Sequence, residues 1–143
     1  MIKGSSFFAM ATVMSWVLWA ANGSLLAKNE DLVADGVKPI KLAGGYKFTE
    51  GPAVDRAGNL YFTDIPNEKI HKWSVDGKLS TVREMSGGAN GLYFAANGDL
   101  YACEGAARRV TAMTPDGKVS VLASSFAGKK LNSPNDLWID KKG

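Results

Sequence analysis

Residues 50–82 and 90–122 of this 143-residue chain carry one pattern twice, offset by 40. Gly58 answers to Gly98, Leu60-Tyr61 to Leu100-Tyr101, and Asp76-Gly77-Lys78 to Asp116-Gly117-Lys118. A third unit opens at Ser133 in SPNDLWIDKKG, where Gly143 answers to Gly98 at an offset of 45 after a longer connection through Ser125–Leu131. A period of this length means one supersecondary unit used repeatedly, each unit burying its apolar face against the next.

The units are made of strands. In the first, runs of about five residues with strand composition cover roughly Pro52–Asp55, Leu60–Asp64, Ile70–Val75 and Leu79–Val82, separated by Ala57-Gly58-Asn59, Pro66-Asn67 and Asp76-Gly77. Asp-Gly pairs accept positive φ and close tight hairpins. Along Ile70–Val75, Ile70, Lys72 and Ser74 share one face and His71, Trp73 and Val75 the other. No sustained helical period occurs beyond the N-terminal region. Four antiparallel strands per unit, repeating at about 40–50 residues, predict an all-β fold of β-propeller blades.

In a propeller the first strand of each blade is innermost, so residues at its start converge on the axis. That position holds Glu50, Asn90 and Asn135. A ring of carboxylate and amide oxygens suits a hard divalent cation, chiefly Ca²⁺, far better than zinc or copper. The competing explanation is that these residues cap turns at the strand starts, where Asn is common.

The N-terminus differs from the rest. Lys3 precedes an uncharged stretch from Gly4 to Ala27 with its apolar centre at Phe7–Ala21, and Ala21-Asn22-Gly23 supplies small residues for cleavage after Gly23. Residues 1–23 are therefore expected to be a signal peptide, with an uncleaved membrane anchor as the alternative. This predicts a periplasmic or extracellular protein without stable membrane association once cleaved. Residues 24–46 form a polar connector with a candidate edge strand at Val37–Leu42, limited to an edge by Pro39. The propeller part is expected over 47–143. The formal charge of +3, from 17 basic and 14 acidic residues without a dense basic block, predicts no nucleic-acid surface. One Cys and one His exclude disulfides and multi-Cys or multi-His metal sites within this chain.

Thr49-Glu50-Gly51-Pro52, Asp55–Asp64, Ile70–Trp73 and Asp76-Gly77-Lys78 resemble the opening blade of the senescence-marker-protein/gluconolactonase/luciferin-regenerating-enzyme family. Ala89–Leu92, Cys103-Glu104 and Arg108–Val110 are similar to its second blade, and Leu131–Leu137 to the start of its third. The resemblance implies a six-bladed propeller with a divalent cation on the axis, usually Ca²⁺, that hydrolyses small lactones. It implies that Glu50 and Asn135 are metal ligands and that Asp136 orients the Asn135 amide from behind. Asn90 and, at the channel rim, Glu104 are candidate substrate-pocket residues, with Asp64 equivalent to Glu104. The implied chemistry is metal-assisted hydrolysis, with an axial carboxylate as general base.

In that family the remaining ligands lie on later blades, whereas this sequence holds two blades and one strand. The expectation is an N-terminal fragment, inactive by itself. Two alternatives are a non-catalytic binding propeller of the NHL type, whose hairpins read similarly, and a propeller lyase using the same axial metal. His71, in the third strand and away from the axis, is expected to be structural. Trp73 and Trp138 are expected in the core between blades, Arg108-Arg109 at a solvated strand start, and Cys103 buried and inert.

Overall fold

The computed structural model describes residues 36–140. The expected leader, residues 1–23, lies outside them. By internal contacts the chain divides into Met1–Ile40 and Lys41–Gly143. Of the first unit residues 36–40 are described, and they form no strand.

The second unit is all β. One antiparallel sheet runs β1 (Thr49–Val54), β2 (Leu60–Asp64), β3 (Lys69–Trp73), β4 (Leu79–Arg83). Another runs β5 (Ala89–Phe94), β6 (Leu100–Glu104), β7 (Arg109–Met113), β8 (Val119–Ala123), in the same order. A short hairpin of β9 (Ser125–Phe126) and β10 (Lys129–Lys130) follows. The two sheets match the two sequence repeats element for element.

Turn chemistry explains the regularity. At one end of the sheets, Ser74 and Thr114 open two equivalent turns. The N–H of each first residue meets the carbonyl of Lys78 or Lys118 at 2.9 Å, and Gly77 and Gly117 adopt φ of 78° and 85°. An L side chain at that φ is strained, so the Asp-Gly signal reports a backbone requirement. Asp76 and Asp116 accept hydrogen bonds from the Ser74 and Thr114 hydroxyls and brace the turns.

The core lies between the sheets. Ile70 from β3 packs with Ala89, Leu92, Leu100, Ala102 and Met113 of the second sheet, and Ala53, Tyr61, Val82 and Phe94 border them. Tyr61 and Phe94 meet edge to face at a centroid distance of 4.9 Å. The alternation expected in β3 holds: Ile70 faces this seam, while His71 on the opposite face packs against Tyr46 and Phe62. Each fully buried side chain of Leu or Ile size contributes about 1.5–3 kcal/mol.

Two expectations fail. Val37–Leu42 forms no ladder; Pro39 lacks an N–H, and Val37, Ile40 and Leu42 stay exposed. Trp138 is 75% exposed instead of packed between blades. Its segment, residues 131–140, has no ladder among the described residues, so it lacks flanking strands to build a core around the indole. Trp73 is half-buried on the His71 face.

Candidate functional site

The ladders of β1–β2 and β5–β6 are both interrupted near the ring residues, between Glu50 and Ala53 and, one position earlier in the repeat, between Ala89 and Leu92. Such bulges re-aim side chains and recur beside active sites. Directly after the first two ring residues, Glu50 and Asn90, stands a glycine, and each is there for close approach. A Cβ on Gly51 would lie 2.1 Å from the Asn90 carbonyl oxygen. A Cβ on Gly91 would lie 2.3 Å from Asp136 Oδ1 and 2.8 Å from the Asn135 carbonyl oxygen. Two hydrogen bonds fix this contact: Thr63 Oγ1 donates to the Asn90 carbonyl at 3.1 Å, and Gly91 N–H to the Asn135 carbonyl at 2.7 Å.

The backbones of Glu50-Gly51, Asn90-Gly91 and Asn135-Asp136 therefore touch in succession, which brings the three ring positions together. Glu50 and Asn135 are exposed and Asn90 half-buried. The main-chain oxygens of Asn90 and Asn135 are already engaged, leaving the side-chain groups to meet a ligand.

The end of the sheets that carries this ring also carries the backbone strain. Glu68, Met85, Arg108, Ala127 and Ser133 all take φ between 47° and 56°, and topology puts every one in a connection at the ring end. The turns at the other end meet the same need with Gly58, Gly77, Gly98 and Gly117. A non-glycine residue in this region costs about 1 kcal/mol or more and clusters at functional sites. Arg108 holds the approach to the third unit by donating to the carbonyls of Leu131 at 2.5 Å and Lys130 at 3.3 Å.

The donor set fits a hard cation in kind: one carboxylate and two amides, all oxygen. In number it falls short of six to eight oxygens, and among the described residues no three His, Cys, Asp or Glu side chains group to hold a metal. Asp136 Oδ1 accepts the Leu137 N–H at 2.8 Å.

Glu104 is placed elsewhere than the channel rim. It is 0% exposed. Oε1 accepts from Arg83 Nη2 at 2.5 Å and Thr111 Oγ1 at 2.7 Å, and Oε2 from Arg109 Nε at 2.6 Å. Burial pushes its carboxyl up, but the bonds from Thr111, Arg109 and Arg83 and the Arg83 charge outweigh it and hold it below the usual carboxylate range. Arg83 belongs to the first sheet, so the cluster locks the seam between sheets and absorbs Arg109, expected at a solvated strand start. Asp64 is likewise buried and kept below its ordinary value, the bonds from Asn67, Phe48 and Lys47 overcoming desolvation.

Cys103 is 1% exposed, and burial first, then the Asp136 charge, pushes its thiol up to about 11. It is inert near neutral pH, as expected. Sequence reasoning missed Arg83, whose equivalent at the 40-residue offset is Ala123; a feature that breaks the repeat carries no periodic signal. It also missed Gly51 and Gly91 as contact points. Their recurrence after Glu50 and Asn90 was the available sign.

Two four-stranded antiparallel sheets stacked on a shared core, with their first strands touching at a polar ring, are blades of a β-propeller. The chain belongs to the SMP-30/gluconolactonase/LRE-like family, whose profile matches residues 48–143. It is 29% identical over 144 residues to a gluconolactonase of Zymomonas mobilis, covering 85% of this chain and 40% of that protein. The structure of a gluconolactonase from Xanthomonas campestris superposes with a TM-score of 0.68 at 31% identity, over 71% of this chain and 35% of that one. An X-ray structure of another protein assigned as a gluconolactonase gives a TM-score of 0.70 at 37% identity, over 76% and 38%. The chain thus spans well under half the length of these relatives.

Proposed function

We propose that this chain supplies the first part of a calcium-dependent lactone-hydrolysing site, in which Glu50 and Asn135 hold the cation and Asn90 faces a small lactone. The succession of backbone contacts Glu50-Gly51, Asn90-Gly91 and Asn135-Asp136 carries the proposal, because it gathers three oxygen-bearing side chains at one end of the blades. The gluconolactonase relatives support a lactone as substrate.

A bound cation would polarise the lactone carbonyl and lower the pKa of a water. The chain's residues do the rest of the local work. Glu50 brings negative charge to the ring. Asn135 presents its amide from a backbone pinned by Gly91 N–H. Asn90 stands between them. The remaining oxygens and the general base are not among these three, so the chain by itself is proposed to bind calcium weakly and to turn over no lactone. An exported location rests on the leader pattern of residues 1–23 alone.

Replacing the matching N-terminal part of the Zymomonas relative with residues 48–143 tests this. The folded chimaera should hydrolyse gluconolactone with added calcium and lose that activity with Glu50→Gln. Activity indifferent to Glu50→Gln and Asn135→Ala would overturn the proposal, and turnover by the 143-residue chain alone would overturn the part of it that assigns this chain no turnover of its own.

A further inference from the structure

Asp64 and Glu104 end β2 and β6 at equivalent positions, 40 residues apart. Each pairs across the ladder with the residue before a ring position: Asp64 with Thr49, beside Glu50, and Glu104 with Ala89, beside Asn90. Both side chains are buried, so each carboxylate must be satisfied by donors.

The two blades solve this differently. Glu104 is held by side chains. At the blade-1 positions equivalent to Arg109 and Thr111 stand Lys69 and His71; Lys69 pairs with Glu84 at 3.4 Å, and His71 shares a hydrogen bond with Thr81 at 3.2 Å. Asp64 instead takes backbone. Its Oδ1 accepts the N–H of Lys47 and of Phe48, both at 3.2 Å, and its Oδ2 accepts Asn67 Nδ2 at 2.7 Å. The Phe48 carbonyl in turn accepts the Ile65 N–H at 3.1 Å. The chain is thus gripped from both sides two residues before Glu50.

That grip matters because of the bulge. After Glu50 the ladder with β2 is interrupted until Ala53, so β1 is not held in register just beyond the ring residue. Glu50 keeps a single ladder pair, with Thr63, so its direction is set by that pair together with the grip on its N-terminal side. We propose that Asp64 is a positioning residue for the cation site: its carboxylate fixes the backbone at Lys47 and Phe48 and thereby aims Glu50 at the ring. This rests on Glu50 being a ligand.

Calcium titration calorimetry on the full 143-residue chain tests it, comparing the parent with Asp64→Asn and with Asp55→Asn. Asp55 is a matched control in the same blade, bracing the turn at the far end through Ala57 N–H and Asn59. Amide hydrogen exchange at Lys47 and Phe48 accompanies each titration. Asp64→Asn should weaken calcium about tenfold and speed exchange at those amides, with β6 and β7 unchanged and Asp55→Asn binding like the parent. Should Asp64→Asn fail to fold, Asn67→Ala keeps the carboxylate while removing one of its holders, and a loss of about threefold or more is expected on the same grounds. Parent-like affinity in the folded Asp64 variant, or equal losses in the Asp64 and Asp55 variants, overturns the proposal. A parent that binds no calcium overturns the ligand role of Glu50 and this positioning role with it. Exchange rates then still report on the clasp itself: unchanged rates in Asp64→Asn would show that it does not hold the backbone either.

Discussion

Glu104 accepts a hydrogen bond from Arg83 across 2.5 Å, tying the last strand of one blade to the second strand of the next. The Arg83 side chain is 9% exposed, so neither charge can fall back on water. Glu104→Gln should cost about 3–5 kcal/mol of stability in urea unfolding, because it leaves a buried guanidinium uncompensated. Arg83→Met combined with Glu104→Leu should cost clearly less than the sum of the single changes, giving a sizeable coupling in the double-mutant cycle.

Acid should undo the same seam. The Glu104 and Asp64 carboxyls lie below their ordinary values when folded. A carboxylate depressed in the folded state contributes stability that is fully present above its unfolded pKa, about 4, and is lost as pH falls through the folded value. His71 also lies below its ordinary value, because burial outweighs the charge of Asp64. For a base this means the unfolded chain takes up the proton first, so stability begins to fall below about pH 6.5. Urea midpoints across pH should show a shallow decline below about 6.5 and a steeper one below about 4. His71→Gln should flatten the first.

Close approach at the ring makes Gly51 and Gly91 intolerant of a methyl group. A Cβ at Gly51 would meet the Asn90 carbonyl oxygen at 2.1 Å, and φ there is 53°. Gly51→Ala should destabilise the protein by about 2 kcal/mol or more, combining overpacking with backbone strain. Gly36→Ala, where a Cβ meets nothing within 4 Å though φ is also positive, should cost about 1 kcal/mol or less. Thermal melts of the two variants compare the effects directly.

Cys103 should resist thiol reagents in the folded protein at pH 8, its thiol being buried and pushed up to about 11. It should react fully in urea. Fast labelling of the native protein would contradict the packing around β6.

The repeat made the blades legible: strand positions, hairpin turns and ring residues all recur at an offset of 40. What did not recur was hidden. The partner of Glu104 is Arg83, whose repeat equivalent is Ala123, and a contact between different registers of two sheets leaves no local pattern. Asp64 and Glu104 look interchangeable in sequence, yet one holds backbone and the other side chains, because the residues facing them differ. For Trp138, alternation with its neighbours reports a face but not whether anything lies against that face.

The account turns on Glu50 and Asn135 acting together as oxygen donors to the cation, with Asn90 facing the lactone. Calcium titration calorimetry of the parent against Glu50→Gln tests this most directly, since the change removes the ring's negative charge with little change in volume. A loss of affinity of about tenfold or more is predicted, with Asn135→Ala weakening binding as well. Equal calcium affinity in the parent and Glu50→Gln would contradict the account.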